Sequence, residues 1–414
     1  MKKTVVELFA GVGGFRVGLN NITSIDENGH AIENGPFNFV WANQWEPSTK
    51  IQHAFDCYNL RFPNENNSNV DISLVKKIEI PNHSVLCGGF PCQDYSVARS
   101  LSKEKGIEGK KGVLWWQIND ILTAKKPPFV LLENVDRLIK SPSKQRGRDF
   151  GIMLRCLNDQ GYAVEWRIIN AAEYGHPQRR RRIYIFAFHK STEYYKKCIQ
   201  IDASSILRTE GIFAKTFKIK DFKNFSHANL IEGYADLVSL SDKFKTAFET
   251  AGYMINGEVY NIKYEPVIEP FIPLRDIVIK NGVDTHYFLT DNEIKKYEFL
   301  RGSKKVPRKR PDGSEYFYSE GSMSPIDSLE LPGRTMLTSE GNTNRSTHII
   351  IDPHLNKIRL LHPIECERLN QFPDDWTNSG MPENRRYFMM GNALVCGIIQ
   401  KLGKEINKII ENEK

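Results

Sequence analysis

The sequence has few of the features that mark disulfide-bonded, metal-bound or membrane-inserted proteins. Its seven cysteines are an odd number and form no Cys-x-x-Cys pair, which suits neither a disulfide framework nor a zinc ribbon. The apolar stretch after Met1 is too short for a membrane span, and it enters a glycine turn without a small-residue cleavage site. We therefore expect a cytoplasmic protein without a metal site and without a membrane partner.

The composition is typical of a soluble globular enzyme. The chain has 414 residues, of which 40% are hydrophobic and 26% charged, and this length corresponds to one very large domain or two to three ordinary ones. The formal net charge of +7 at pH 7 favours polyanionic partners, although many metabolic enzymes are also mildly basic.

Short apolar strands alternate with longer helical stretches in the first part of the chain. Strand candidates begin at Thr4, Phe39, Ser84 and Phe129. This alternation predicts a parallel sheet with helices on both faces, and the ligand of such a sheet lies beyond the carboxyl ends of its strands. From about residue 190 to residue 353 the pattern is irregular and indicates a second domain. A final amphipathic helix is predicted from apolar residues that recur every four positions, namely Leu394, Ile398, Leu402, Ile406 and Ile410.

The first polar motif is FAGVGG, from Phe9 to Gly14, directly after a strand. Its glycines let the backbone approach a ligand closely and open a helix whose N-terminus favours negative groups. No Gly-Lys-Ser/Thr follows, so it is not a phosphate-binding P-loop, and Arg16 occupies the position of the third glycine of a dinucleotide fingerprint. A simple tight turn is the alternative.

Two further motifs hold candidate reactive side chains. In GGFPCQ, Cys92 follows Pro91 on a glycine-rich turn, where it would be presented as a thiolate nucleophile; the alternative is a buried cysteine that behaves as a small hydrophobe. In ENV, Glu133 follows an apolar strand, where partial desolvation would raise its pKa and suit it to donate a proton. The alternative for Glu133 is an acid that caps a helix.

The fourth motif is the arginine run QRRRR, from Gln178 to Arg182, which leads into the strand-like IYIFAF. Alternation along a strand would direct some of these arginines to the ligand edge, where planar guanidinium groups suit phosphates and base carbonyls. A solvated charge run or a nuclear-localisation-like patch is the alternative, but the strand that follows favours a functional role.

In this order the motifs resemble those of the cytosine-5 DNA methyltransferases over essentially the whole chain. FAGVGG is similar to the family's cofactor loop, GGFPCQ to its nucleophile loop, ENV to its acid motif and QRRRR to its base-binding motif, while RTMLTS (334–339) and GNALV (391–395) resemble its late motifs. The resemblance implies an α/β fold in which a Rossmann-like, S-adenosylmethionine-dependent methyltransferase sheet domain carries an inserted, smaller target recognition domain. We expect the catalytic domain at 1–190 and 358–414 and the target recognition domain at 191–357.

The resemblance also implies the catalytic roles. Cys92 would add to carbon 6 of a cytosine flipped out of the duplex, Glu133 would protonate ring nitrogen 3, and Arg180 and Arg182 would hold the base and the active-site loop. The base that removes the carbon 5 proton is left open. The loop 97–111 is either a lid over the flipped base or an ordinary exposed loop.

Positions that match the family's cofactor contacts are Phe9, Gly11, Gly13, Gln44, Trp45, Asp71, Ile72, Leu114 and Asn392. The glycine loop corresponds to the methionine side of S-adenosylmethionine, and Asp71 and Ile72 correspond to the adenine side. Gln44 departs from the family pattern, because an acidic residue usually meets the ribose hydroxyls there. The charge-assisted part of that hydrogen bond is then missing, and Glu46 is a candidate to replace part of it.

The implied partner is double-stranded DNA, bound with a steep dependence on salt. We expect a monomer whose cognate restriction endonuclease is a functional partner and not a bound subunit, and segments such as WANQWEPSTKIQHAFDCY (41–58) are similar to enzymes that act on GATC. The alternatives are an RNA cytosine-5 methyltransferase, a non-catalytic DNA-binding protein and a nicotinamide-dependent oxidoreductase. The long middle region disfavours the RNA methyltransferase, and the presence of Cys92 and Glu133 disfavours the non-catalytic DNA-binding protein. Arg16 disfavours the oxidoreductase.

Overall fold

A ten-stranded sheet organises the part of the chain that the structure, a computed structural model, describes: residues 1–47, 49–63, 66–90, 114–310 and 312–414. The strand order is β3-β2-β1-β4-β5-β7-β6-β9-β10-β8, and the pairs β11–β12 and β13–β14 form two small separate sheets. The strands are β1 (Thr4–Leu8), β2 (Asn38–Asn43), β3 (Asn67–Ser68), β4 (Val85–Gly89), β5 (Phe129–Val135), β6 (Tyr162–Asn170), β7 (Arg181–His189), β8 (Ile219–Asn229), β9 (Ala251–Ile255), β10 (Glu258–Pro266), β11 (Lys304–Lys309), β12 (Glu315–Glu320), β13 (Ile349–Ile351) and β14 (Ile358–Leu360).

Helices cover both faces of the large sheet, and the sheet itself separates the two apolar layers. Their bounds are Gly14–Leu19, His53–Arg61, Leu114–Lys125, Arg148–Asp159, Glu193–Cys198, Ala203–Ser205, Ile212–Thr216, Leu237–Lys243, Asp291–Arg301, Pro363–Leu369, Glu383–Asn392 and Cys396–Glu411. Among the described residues, no helix combines the length and the apolar character that crossing a membrane requires.

The parallel half of the sheet agrees with the expectation from the sequence. β3, β2, β1, β4 and β5 are parallel neighbours, and the first four residues of β5 are fully buried because helices cover both of its faces. In this register Leu8 lies beside both Asn43 and Gly88, and Gly89 lies beside Glu133. The glycine loop, the nucleophile loop and the acid motif therefore start from adjacent strand ends.

The other half of the sheet is antiparallel, and the strand alternation in the first part of the chain did not predict it. β7 lies between β5 and β6 and runs antiparallel to both, and β9, β10 and β8 continue the antiparallel order. The connection 171–180 is too short for the crossover that a parallel pair of β6 and β7 would need. Since β8, β9 and β10 come from the middle region, the sheet continues past the expected boundary at residue 190.

The amphipathic helix predicted near the end of the chain is Cys396–Glu411. Its residues Ile398, Leu402, Ile406 and Ile410 are all buried, and it packs against Gly14–Leu19. The contact is close: a Cβ atom at Gly18 would lie 2.6 Å from both the Cys396 carbonyl oxygen and Ile399 Cβ. The last helix therefore holds the helix that follows the glycine loop.

Candidate active site

The loop after β1 has the backbone conformation that its glycines permit. Phe9 has φ 53°, Gly11 55° and Gly13 91°, all in the left-handed region. A Cβ atom at Gly13 would lie 2.7 Å from Phe62 Cε2, whereas one at Gly11 would meet nothing within 4 Å. The loop is thus packed against Phe62 at Gly13, whereas it is open at Gly11. The space at Gly11 lets a ligand lie against the backbone.

Gln44 follows β2 and reaches this loop. Its side-chain oxygen accepts a hydrogen bond of 2.8 Å from the Gly11 backbone N–H, so its NH₂ group is the part that can donate to a ribose hydroxyl. Glu46, the candidate replacement for a ribose-binding acid, is paired with Arg385 at 3.0 Å. Trp45 lies between them in the chain and is 38% exposed.

Three of the expected cofactor positions lie in or against one apolar layer. Ile72 is 3% exposed there, and Phe9 and Leu114 pack against the same layer as partly buried side chains. The Asp71 carboxylate accepts a hydrogen bond of 2.9 Å from the Ser73 N–H, which holds the turn after it. Asn392 is exposed at the end of the helix Glu383–Asn392. Buried and partly buried apolar side chains of this kind are suited to contact the adenosyl part of S-adenosylmethionine.

Glu133 lies on β5 at the carboxyl edge of the parallel strands. Its Oε1 forms an ion pair of 3.0 Å with Arg182 Nε, and its side chain is 13% exposed. Burial raises the pKa of Glu133, while the positive charges of Arg182 and Arg180 lower the pKa and offset part of that rise. A Cβ atom at Gly89 would lie 3.2 Å from Glu133 Oε2, so glycine on β4 leaves the carboxyl group its space.

Asn134 is a residue of this site that the sequence reasoning did not single out. It is 2% exposed, and its Nδ2 donates a hydrogen bond of 2.9 Å to the Phe90 carbonyl oxygen. That bond holds the chain where β4 ends, two residues before Cys92. A buried asparagine directly after an apolar strand was the available signal, because such a side chain needs a partner.

The predicted nucleophile Cys92 and the loop 97–111 lie outside the described residues, within 91–113. The other six cysteines are buried. Burial raises the pKa of Cys57, Cys156 and Cys198 to about 12 and holds the pKa values of Cys87, Cys366 and Cys396 well above the usual value. None of these six thiols is suited to react as a thiolate near neutral pH.

The arginine run serves two different purposes. Arg182 pairs with Glu133, whereas Arg180 is 2% exposed and donates hydrogen bonds of 2.9 Å to the carbonyl oxygens of Met336 and Gly391. Burial lowers the pKa of Arg180 to about 9, and the charge of Arg182 acts in the same direction. Arg180 therefore joins the two late motifs to β7, and any contact of Arg180 with a base stays a prediction.

Gln178, the first residue of the QRRRR motif, and Asn370 extend this set of buried contacts, and neither was assigned a role of its own from the sequence. Gln178 is fully buried; its Nε2 donates to Asn370 Oδ1 at 2.9 Å, and its Oε1 accepts from the Met336 N–H at 3.1 Å. Asn370 in turn donates to the Met390 carbonyl oxygen at 2.8 Å. Segments far apart in the sequence thus meet behind Glu133 through buried amides whose partners are all non-local.

Comparison with known proteins identifies the relatives of this chain. The model of the family described as C-5 cytosine-specific DNA methylase matches residues 3–408. The chain is 52% identical to the Type II methyltransferase M.Sau3AI of Staphylococcus aureus over 411 residues, which is 99% of this chain and 96% of that protein. It is 24% identical to the Type II methyltransferase M.Bsp6I of Bacillus sp. (strain RFL6), with 98% of each chain covered.

The fold is also similar to that of a solved structure. The Entamoeba histolytica methyltransferase EhMeth matches with a TM-score of 0.58 and 16% identity, covering 100% of this chain and 99% of that one. With the match of the family model to residues 3–408, these findings establish that the chain belongs to the C-5 cytosine-specific DNA methylases, enzymes that depend on S-adenosylmethionine.

Proposed function

We propose that this methylase acts on a specific duplex DNA sequence through a covalent adduct between Cys92 and the target cytosine, as the modification enzyme of a restriction-modification system. The observation that carries the proposal is the placement of Glu133, paired with Arg182, beside Gly89 on the strand that leads to Cys92. An acid and a thiol at neighbouring strand ends can act on the same pyrimidine ring, the acid at the edge of the ring and the thiol at its face. The high pKa values of the six buried thiols leave Cys92 as the candidate nucleophile.

The chemistry requires a nucleophile because carbon 5 of cytosine is unreactive in the aromatic ring. In the proposed mechanism the Cys92 thiolate forms a bond to carbon 6, and Glu133 donates its proton to ring nitrogen 3, so the electron pair is available at carbon 5. Burial favours the protonated form of Glu133, which is the form that donates. S-adenosylmethionine, when bound, supplies an electrophilic methyl group that carbon 5 attacks.

Release reverses the addition. A base takes the carbon 5 proton, and the electrons of that C–H bond re-form the carbon 5–carbon 6 double bond as the Cys92 thiolate leaves carbon 6. The proton on ring nitrogen 3 returns to Glu133, and the ring regains its aromaticity. Gly11, Gln44, Phe9, Ile72 and Leu114 would hold the cofactor, the first two by hydrogen bonding and the others by apolar contact. The cytosine must be flipped out of the duplex, which costs a few kcal/mol of stacking and pairing that protein contacts offset.

We propose GATC as the target and a monomer as the active form. The GATC assignment is supported by the similarity of the segments around Trp41–Tyr58 to enzymes that act on that sequence. DNA methylated by the protein and sequenced after bisulfite conversion should show protected cytosines at GATC sites. It should also resist a restriction endonuclease that cuts GATC and is blocked by cytosine methylation. Protection at another sequence would refute the GATC assignment and leave the activity standing.

The test of the mechanism is a covalent trap. Duplex DNA with 5-fluorocytosine at the target should give a complex with the wild-type protein and S-adenosylmethionine that survives denaturing electrophoresis, because fluorine cannot leave as a proton does. Cys92→Ala should give no complex and no methyl transfer, while Cys198→Ala, which removes a buried thiol elsewhere, should give both. Methyl incorporation by Cys92→Ala would exclude this role for Cys92. Label from tritiated S-adenosylmethionine in tRNA and not in duplex DNA would overturn the choice of substrate.

A further inference from the structure

The hairpin β11–β12 stands apart from the large sheet. Its strands are antiparallel, and within the described residues they pair with each other and with no third strand. Five of the six residues of β11 are exposed, as are four of the six residues of β12, including Phe317 at 69%. A two-stranded ribbon with both faces open to solvent buries too little apolar surface to be explained by folding alone.

The two faces of the ribbon carry different chemistry. Alternation along a strand places Val306 and Arg308 on one face with Tyr316 and Tyr318, and it places Lys305, Pro307 and Lys309 on the other with Phe317. Acidic partners lie at the ends of the ribbon, where Lys304 meets Glu320 at 3.2 Å and Lys309 meets Glu315 at 3.8 Å. The centre of the ribbon is therefore cationic and aromatic.

Two arginines on the first face are held by aromatic rings. The guanidinium carbon of Arg308 lies 4.1 Å from the ring centre of Tyr318, and that of Arg310 lies 5.1 Å from the ring centre of Tyr316. Stacking on a ring restrains the plane of a guanidinium group and leaves N–H donors at its edge. One donor of Arg310, Nη1, is used within the hairpin in a hydrogen bond of 3.3 Å to Ser314 Oγ. Paired N–H donors in that arrangement match the O6 and N7 acceptors of guanine in the major groove.

The base of the hairpin is anchored to the active site by buried charges. Arg301, which precedes β11, donates to Asp327 Oδ2 at 2.9 Å, and Arg334 Nε donates to Asp327 Oδ1 at 2.6 Å. Burial alone would raise the pKa of Asp327, but the hydrogen bond from Arg334 and the nearby positive charges hold it well below its usual value. The residue before Arg334 is Gly333, whose carbonyl oxygen accepts a hydrogen bond of 2.7 Å from the Arg179 N–H.

That chain of contacts links the hairpin to the catalytic acid. It runs from Arg301 through Asp327 and Arg334 to the arginine run, in which Arg182 pairs with Glu133. Arg301 is 1% exposed, so its ion pair with Asp327 is a fixed internal contact and not a solvated surface pair. These buried contacts fix the position of the hairpin relative to Glu133, and therefore relative to the cytosine on which Glu133 is proposed to act.

We propose that the β11–β12 hairpin enters the major groove of duplex DNA beside the flipped cytosine, with Arg308 and Arg310 donating to a guanine edge and Lys305 contacting a phosphate. The proposal rests on the proposed function, because it names the element that selects the duplex sequence. A two-stranded antiparallel ribbon is narrow enough for the major groove. The cationic centre of the ribbon supplies the contacts to the phosphate backbone that fix its orientation.

The test measures methyl transfer to a duplex that contains the target found by bisulfite sequencing. Arg308→Ala should lower kcat/KM on that duplex by about 5- to 150-fold, the range for loss of a bidentate contact to guanine, and Arg308→Lys should not restore it because the paired donors are lost. Lys305→Ala should instead weaken binding to all duplexes and reduce the slope of log K against log salt by about 1. Lys404→Ala, which removes an exposed positive charge from the C-terminal helix, is the matched control and should change neither.

A modified base separates base reading from a general loss of charge. Replacement of a target guanine by 7-deazaguanine removes its N7 acceptor; this should lower kcat/KM for the wild type and have little further effect on the double variant Arg308→Ala, Arg310→Ala. Binding of S-adenosylmethionine, measured by calorimetry, should be the same in all variants. If the wild type methylates the duplex and both arginine variants retain its kcat/KM and its sensitivity to 7-deazaguanine, the hairpin assignment is wrong while the proposed function stands. Absence of methyl transfer to duplex DNA by the wild type would overturn the proposed function itself.

Discussion

At the scale of single residues, opposing influences set the protonation of Glu133. Burial favours the neutral acid, whereas the ion pair with Arg182 favours the carboxylate. A group balanced in this way can hold a proton and still give it up when negative charge develops on a bound ring. The sequence places Glu133 after an apolar strand, but its pairing with Arg182 comes from the antiparallel register of β5 and β7, which sets Val135 opposite Arg182.

Replacement of Glu133 by glutamine should remove proton donation and preserve size. We expect kcat for Glu133→Gln to fall by roughly 10²- to 10⁴-fold, the usual contribution of general acid catalysis, with S-adenosylmethionine binding unchanged. The matched control is Asp136→Asn, which breaks an exposed carboxylate–arginine pair with Arg181 of 3.3 Å and should keep activity near that of the wild type. The activity of both variants is measured as the rate of methyl transfer under single-turnover conditions. A rate for Glu133→Gln within threefold of the wild-type rate would contradict proton donation by Glu133.

At the scale of elements, the site depends on helices that pack closely. The helix Gly14–Leu19 follows the cofactor loop and lies against Cys396–Glu411, with Gly18 at the point of contact. Five of the six residues of that short helix are buried, so its position is set by tertiary packing more than by helix propensity. The amphipathic pattern from Leu394 to Ile410 predicted that the last helix buries one face, but not which partner it covers.

A side chain at Gly18 should therefore loosen this contact. Its Cβ would lie 2.6 Å from the Cys396 carbonyl oxygen, and backbone cannot yield as a flexible side chain does. We expect Gly18→Ala to lower the free energy of unfolding by about 1–3 kcal/mol, as for other overpacked core positions, measured by urea denaturation. Gly321→Ala, where a Cβ would meet nothing within 4 Å, should change stability little. Equal effects of the two substitutions would show that the helix contact is not tight.

At the scale of the whole molecule, buried acids make stability depend on pH. Glu7 is fully buried on β1 and Glu165 is 2% exposed on β6, and burial raises the pKa of each to about 7 from an ordinary value near 4.5. Below pH 4.5 these two acids are protonated in both the folded and the unfolded protein. Between pH 4.5 and 7 the unfolded chain ionises first, so the stabilisation present at low pH is lost as the pH rises. Buried His83 and His176, with pKa lowered to about 4, act in the opposite direction.

Comparison of a Glu7→Gln variant with the wild type isolates the contribution of Glu7, because the histidines are common to both proteins. Glutamine can still accept the hydrogen bond of 2.9 Å from the Tyr58 hydroxyl. We expect the variant to gain stability relative to the wild type as the pH rises from 4.5 to 7, by up to about 3 kcal/mol, which is the free energy of a pKa shift of this size. Urea denaturation at several pH values measures the difference. A difference that does not change with pH would mean that Glu7 is already ionised in the folded protein.

Local pattern alone determined the glycine loop after β1, the parallel half of the sheet, the amphipathic final helix and the order of motifs that identifies the family. These features depend on residues that are close together in the chain. They can therefore be predicted from the periodicity of apolar residues and from the backbone conformations that glycine allows. Glu133 was selected from the same kind of evidence, because it comes directly after an apolar run, whereas Gln44 was selected from the resemblance to the family.

Tertiary structure decided what those residues meet. It turned β7 antiparallel and so paired Arg182 with Glu133, directed Gln44 to the Gly11 N–H, and engaged Glu46 with Arg385. It also joined Arg301 and Arg334 through Asp327, which ties the β11–β12 hairpin to the segment that contacts the arginine run. Each of these contacts joins side chains brought together by sheet register or by buried charge pairing, and neither is encoded in any short stretch of sequence.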